Sequence, residues 1–158
     1  MLYNHAKMPK YYKVIAENRK AYHDYTILET VQGGIVLSGA EVKSLRLGRA
    51  NLKDSFGRVE SNEIWLYNMH ISPYDRSSEK LDPYRARKLL FNKQELRKII
   101  GRVSEKGLTL VPLKAYFSGD WAKIDLGVAK SKKTYEKKEQ LIKKIADKEI
   151  EKALKRNR

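Results

Sequence analysis

The chain has 158 residues and no cysteine, and its 34 Lys plus Arg stand against 19 Asp plus Glu for a formal net charge of +15. Disulfides, thiolate metal sites and cysteine nucleophiles are thereby excluded, and the composition suits a reducing cytoplasm. A chain of this length predicts one domain, able to bury about two thirds of the surface it exposes when unfolded and so to fold without staples.

The first twenty residues are broken by Lys, Asn and Glu and hold no apolar signal-peptide core. No stretch approaches the ~18 apolar residues of a membrane span. So many like charges on a small chain repel one another unless an anion neutralises them, which calls for nucleic acid or acidic lipid as partner. The 10 Tyr, 2 Trp and 3 Phe are scattered among the basic residues. That favours RNA, on whose unpaired bases such rings stack, over a membrane surface, which asks for a basic amphipathic helix with an apolar second face.

Composition divides the chain into a basic arm (Met1–Lys20), a mixed middle (Ala21–Ala129) and a lysine-rich end (Lys130–Arg158). At the first boundary, Asn18-Arg19-Lys20-Ala21-Tyr22-His23 gathers an amide, two cations and two rings that suit an RNA backbone and an unpaired base. A solvated loop accounts for the same residues. Tyr25–Val31 and Ile35–Leu37 flank Gln32-Gly33-Gly34 and predict a first hairpin. A helix follows from Ala40 to Leu47, ended by Gly48, with Lys43, Arg46 and Arg49 on one side and Val42 and Leu45 facing elsewhere. Phosphate contact and a solvated face explain that cationic side equally well.

A second hairpin is predicted from Phe56–Glu60 and Ile64–Asn68 around Ser61-Asn62, with Ile64 and Leu66 on one face and Trp65 and Tyr67 on the other. Next, Arg85-Ala86-Arg87-Lys88 follows Asp82-Pro83 in an expected loop, where guanidinium forks suit bidentate phosphate contacts. The competing reading is pairing with Asp82 or Asp75. Leu96, Ile99, Ile100 and Val103 recur at helical spacing from Lys93 to Ser104, and Asn92 offers an N-cap. The last pair, Leu108–Phe117 and Trp121–Val128, turns at Ser118-Gly119-Asp120, and Pro112 argues for an edge or a bulge.

About six short strands with two helices predict a mainly β fold closed into a small barrel of the OB kind, since closure hides sheet edges. An open antiparallel sheet covered by helices on one face satisfies the same periodicity. The end of the chain carries twelve Lys or Arg against five Asp or Glu, a net +7 on 29 residues. Its stripe of Leu141, Ile142, Ile145, Ala146, Ile150, Ala153 and Leu154 is helix-capable. With little apolar area and much like charge, it is expected to stay disordered until an anionic partner neutralises it.

Chemistry-bearing patterns are sparse. His5, His23 and His70 form no i,i+4 pair, and no GxxxxGK[ST] or GxGxxG loop occurs. Glu41, Asp54 and Glu60 are scattered acids of the kind normally solvated or paired with Lys and Arg. No metal, no cofactor and no catalytic activity are expected.

Long stretches nevertheless carry a resemblance. Asn18-Arg19-Lys20-Ala21-x-His23-Asp24-Tyr25 is followed by Gly39-x-Glu41-Val42-Lys43-Ser44-Leu45-Arg46-x-Gly48-x-Ala50-Asn51-Leu52-Lys53-Asp54-Ser55. His70-Ile71-Ser72-Pro73-Tyr74, Asp82-Pro83-x-Arg85-x-Arg87-Lys88-Leu89-Leu90, Gly107-Leu108-Thr109-Leu110-Val111-Pro112-Leu113 and Ala129-Lys130-x-Lys132-Lys133 come after them. From Ile15 to Lys138 the chain resembles the SsrA-binding protein family, also called small protein B.

The resemblance implies a non-enzymatic, cytoplasmic RNA-binding protein with an OB-like barrel and a tail unstructured in isolation. Its implied partner is the tRNA-like domain of transfer-messenger RNA, brought with elongation factor Tu and GTP to stalled ribosomes for trans-translation. The tail's implied place is the small subunit's decoding centre and mRNA channel. Carried over by position, RNA-facing roles fall on Asn18, His23, Leu90, Asn92 and Lys123, and on Gln32 where many members have Glu. Arg19, Lys20, Lys43, Arg46, Arg85, Arg87 and Lys88 are added as phosphate-contact candidates, and the tail role falls on Lys130, Lys132, Lys133, Tyr135, Lys137 and Lys138. Ser131 stands where the family usually has Gly, so a left-handed backbone there would cost more.

Overall fold

One strand with three partners organises the sheet. In a computed structural model that describes residues 12–105 and 107–157, the elements run β1 (Tyr12–Glu17), α1 (Arg19–Asp24), β2 (Tyr25–Ile35), α2 (Gly39–Arg46), β3 (Ala50–Asn51), β4 (Phe56–Glu60), β5 (Glu63–Tyr67), β6 (His70–Ile71), β7 (Arg87–Leu90), α3 (Lys93–Val103), β8 (Leu108–Ser118), β9 (Trp121–Ser131) and α4 (Thr134–Arg156). The antiparallel order β8-β4-β5-β7-β2-β9 returns from β9 to β8 and closes a ring. The open-sheet alternative is thereby excluded. β8 serves three neighbours because its start meets β4 at Leu110 opposite Gly57, its end meets β1, and β9 follows its whole length. The β8–β9 register shifts between Pro112 and Lys114, so the proline without an N–H marks a bulge, in keeping with its place in the sequence.

Period-two alternation fills the barrel with Ile64 and Leu66 of β5, Leu110, Ala115 and Phe117 of β8, and Ile124, Leu126 and Val128 of β9. α3 adds Ile99 with Leu96 and Val103, and Leu45 comes from α2. The predicted Asn92 cap is in place, and α2 carries a cap that sequence reasoning misses. Asn92 accepts the Glu95 N–H at 2.8 Å, and Ser38 and Glu41 exchange backbone and side-chain bonds in a capping box. At the β4–β5 turn Ser61 and Asn62 have φ of 48° and 61°, the mirror-image turn that suits strand twist.

Three expectations are corrected. The chain does not reverse at Gln32-Gly33-Gly34; β2 runs straight through, Gly33 opposite Ile124 and Gly34 between Lys123 and Leu90. A Cβ on Gly33 would stand 2.5 and 2.7 Å from the Phe91 ring, so this glycine serves close packing and not a turn. Next, part of the expected basic arm, Tyr12–Glu17, is a strand on β8, and helix α1 begins inside the arm's last residues. The arm's first eleven residues, His5 among them, lie outside the described residues. Finally, Arg87 and Lys88 belong to β7 and pair with β5, in place of the expected loop.

α1 rests on the outside of the barrel, where Ala21 joins Val111, Leu113 and Ala129 in a second apolar cluster. α4 buries no residue, and Leu141, Ile142, Ile145, Ile150 and Leu154 are all exposed. Its root is tied to α1: the Lys132 N–H donates to the Asp24 carbonyl at 3.0 Å, and its ammonium donates to the Tyr22 carbonyl at 2.9 Å.

Candidate nucleic-acid interface

Strand register aligns Leu90, Gly34, Lys123, Tyr116 and Val14 in one row across β7, β2, β9, β8 and β1. Leu89, Ile124, Ala115 and Phe117 point into the core, so alternation turns Leu90, Lys123 and Tyr116 outward. Leu90 is 51% exposed, an apolar side chain presented beside an ammonium. Gln32 lies opposite Asp125 in the neighbouring row. Its amide donates to the Tyr116 hydroxyl, which donates to Asp125 Oδ1 at 3.0 Å. Lys114 approaches Asp125 Oδ2 at 3.9 Å and lies over the Tyr116 ring.

Burial is the main reason the Tyr116 hydroxyl is pushed up to about 12; the Gln32 bond opposes that shift and the Asp125 bond adds to it. It therefore stays a neutral donor that fixes Gln32 and Asp125. Asn92 is exposed two residues beyond Leu90, and because its carbonyl oxygen caps α3, its amide NH2 remains to donate outward. Gln32, Leu90, Asn92 and Lys123 thus come together on one wall.

α1 holds a second group. Arg19 and Lys20 are exposed, with Glu17 at 3.6 Å and Asp54 at 3.8 Å respectively. His23 Nδ1 lies 3.0 Å from Asp24 Oδ1, and Lys137 of α4 reaches the same oxygen at 3.5 Å. The His23 bond, against a smaller cost of burial and with help from Lys137 and Lys20, holds the Asp24 carboxyl below its ordinary value. A groove between Arg19, Tyr22, Thr30, Lys114 and Asp125 joins this group to the Gln32–Tyr116 wall.

Asn18 does not belong to the exposed set. It is buried, its side chain donating to the Pro112 carbonyl at 3.0 Å and its backbone N–H to Leu113 at 2.8 Å, so it clamps α1 onto β8 beside the bulge. Arg87 is a plainer correction: it is 0% exposed and cannot meet a phosphate. Its guanidinium donates to Glu41 Oε2 at 2.6 Å, to the Met69 carbonyl at 2.6 Å and to the Pro83 carbonyl at 3.0 Å. Arg85 Nε donates to Glu41 Oε1 at 3.1 Å, so both arginines answer Glu41 and neither Asp82 nor Asp75 takes that part. Burial pushes the Glu41 carboxyl up, but bonds from Arg85, the Ser38 N–H and Arg87 outweigh it and hold the group below its ordinary value.

The remaining candidates are spread out. Lys88 pairs with Glu63 at 2.9 Å. On α2, Lys43 and Arg46 are exposed, over the rings of Tyr74 and Phe117. Lys130, Lys133, Tyr135 and Lys138 are exposed at the tail's root, and Lys132 and Lys137 are engaged with α1. Ser131 is paired with Tyr25 inside β9 and needs no left-handed backbone, so the substitution for Gly carries no such cost. Sequence reasoning misses Tyr116 and Asp125 as the pair that positions Gln32. The outward direction of Tyr116 depends on the bulge between Pro112 and Lys114, which resets the alternation of β8, and its partnership with Asp125 of β9 on the pairing of the two strands across the barrel wall.

Among the described residues no group of three His, Asp or Glu gathers to hold a metal ion, and no helix is long and apolar enough to cross a membrane. Fold and surface define a class: a small, strongly basic β-barrel protein of OB-like architecture whose outer wall mixes cations, amides and an exposed apolar side chain. A family model described as "SmpB protein" matches residues 15–156, and the chain belongs to that family.

Its relatives agree. The SsrA-binding protein of Carboxydothermus hydrogenoformans is 61% identical over 143 residues, covering 90% of this chain and 96% of that one. The SsrA-binding protein of Chloroflexus aurantiacus is 53% identical over 147 residues, 92% of each chain. A solved chain from a structure described as "tmRNA-SmpB: a journey to the center of the bacterial ribosome" is 53% identical, with a TM-score of 0.63 over 75% of this chain and 84% of that one.

Proposed function

We propose that this protein binds the tRNA-like domain of transfer-messenger RNA and delivers it to stalled ribosomes for trans-translation. The observation that carries the reading is the outer wall, where Gln32, Leu90, Asn92 and Lys123 converge from β2, β7, the start of α3 and β9 in a chain more than half identical to SsrA-binding proteins. An ammonium for phosphate, two amides for base or sugar edges and an apolar contact make a set that recognises a folded RNA surface. The protein works without catalysis or cofactor in the cytoplasm, and elongation factor Tu with GTP is an indirect partner through the RNA.

The tail takes a second polyanion, the decoding centre and mRNA channel of the small subunit. The exposure of every apolar residue of α4 supports this: beyond the Lys137–Asp24 contact near its root the helix buries nothing on its own barrel, so its lysines and its apolar stripe are left for ribosomal RNA. Lys130, Lys132, Lys133, Tyr135, Lys137 and Lys138 form the entry to that segment. A gel shift with the isolated tRNA-like domain beside an ordinary tRNA tests the assignment. Binding of the first that survives excess unstructured RNA is expected; equal binding of both, competed away together, identifies a general basic binder instead.

A further inference from the structure

We propose that Trp121 is a stacking platform for one unpaired base of the folded RNA, extending the wall of Leu90 and Lys123 to the tip of the β8–β9 hairpin. The inference rests on the RNA-binding reading above and names a contact within it. Trp121 is 74% exposed, more than any other large apolar side chain among the described residues. An indole left in water forgoes the largest burial gain of any side chain, and elsewhere in this barrel the alternation buries its apolar partners.

The position is built by the fold. β9 starts at Trp121 directly after the turn in which Gly119 has φ of 59°. Period two puts Trp121 and Lys123 on the same outer face, with Ala122 and Ile124 turned to the core between and beyond them. Side chains two apart on one strand face are about 6–7 Å apart, within the span of a single nucleotide from base to phosphate. Across the hairpin Trp121 faces Ser118, which faces Tyr12, so the small serine leaves the indole face clear and a second ring stands in the same row at 43% exposure.

Charge selects the occupant. Asp125 is engaged by Lys114 and Tyr116, which leaves Lys123 without a carboxylate partner among the described residues. Lys114 also lies over the Tyr12 ring, and the one acid at the tip, Asp120, is solvent-exposed. A flat ring flanked by an unpaired ammonium on a chain of net charge +15 suits a base and its phosphate. A protein partner would ask for a broader apolar surface around the indole, where Ser118 and Lys123 stand.

Binding of the transcribed tRNA-like domain by the full-length chain tests this. Trp121→Ala is expected to weaken binding about tenfold, and Trp121→Phe to restore most of the loss. Abasic substitution of the unpaired loop nucleotides, one at a time, is expected to find a position whose loss is not added to that of Trp121→Ala. In a Trp65→Phe background the emission of Trp121 is expected to be quenched by the RNA. Unchanged affinity of Trp121→Ala, in protein whose wild type prefers the tRNA-like domain, overturns the proposal and leaves the functional reading standing. Intact RNA affinity with reduced ribosome association overturns it in favour of a ribosomal contact. A wild-type protein with no preference for that domain overturns the functional reading and this proposal with it.

Discussion

Arg87 and Glu41 form a buried ion pair 46 residues apart in sequence, Arg87 fully enclosed and Glu41 5% exposed. The pair ties α2 to β7, and the bonds from Arg87 to the Met69 and Pro83 carbonyls draw in both ends of the 72–82 segment. Removing one partner leaves the other charge buried without its counterpart, which costs about 3–5 kcal/mol. Urea unfolding of Arg87→Met and Glu41→Gln is expected to show losses of that order, with the double variant losing less than their sum. Additive losses would mean that the two groups are not coupled.

The same carboxyl makes the fold sensitive to acid. Glu41 is held below its ordinary value of 4.5 in the folded protein, so its contribution is fully present above that pH and is lost as the pH falls through the lower, folded value. The wild type is expected to lose stability more steeply than Glu41→Gln below pH 4.5. Thermal midpoints measured from neutral pH downward check the slope; parallel curves for the two proteins would remove Glu41 from the acid response.

Gly33→Ala is expected to destabilise the barrel by about 1–3 kcal/mol, because the new methyl meets the Phe91 ring at 2.5 Å and the Leu90 carbonyl at 3.0 Å. Gly34→Ala, whose methyl would meet only Leu90 Cβ at 3.7 Å, serves as the control and is expected to change stability far less. Chemical denaturation of the two variants distinguishes close packing from a conformational need for glycine, since neither residue has positive φ.

On the outer wall, charge and apolar contact separate by salt dependence. Lys123→Ala is expected to weaken binding of the tRNA-like RNA and to shallow the dependence of log K on log salt by about 0.7 to 0.9, the signature of one phosphate contact. Leu90→Ala is expected to weaken binding at an unchanged slope. An unchanged slope for Lys123→Ala would place it outside the phosphate footprint. Arg87→Ala acts through folding and is no test of the interface.

Removing residues 134–158 is expected to leave RNA affinity largely intact and to abolish tagging on stalled ribosomes. The cut belongs after Lys133, because Lys130 and Ser131 still pair with Thr26 and Tyr25, and Lys132 holds the Asp24 carbonyl. A cut at Lys130 would remove the end of β9 and confuse loss of the tail with loss of the barrel edge. Filter binding beside a tagging assay separates the two functions, and a collapse of RNA affinity in the shorter chain would end the division of labour between barrel and tail.

Local chemistry makes much of this protein legible in its residue order. Alternation in Ile64–Tyr67 and in Trp121–Val128, the Asn92 cap, the Ser61-Asn62 turn and the Pro112 bulge each depend on residues close in sequence, and each is where the pattern puts it. The basic tail and the long motifs of the resemblance are likewise carried by the sequence alone, since charge and residue order need no fold to be read. What local pattern cannot decide is which partner a residue meets across the barrel. Gly33 reads as a turn until the Phe91 ring is packed against it, and Arg87 reads as a phosphate ligand until Glu41 is brought beside it from α2. A guanidinium on the surface and one in the core have the same sequence signature; only closure of the ring from β8 back to β9, which fixes inside and outside for every strand, assigns Arg87 to the interior and Lys123 and Trp121 to the outer face.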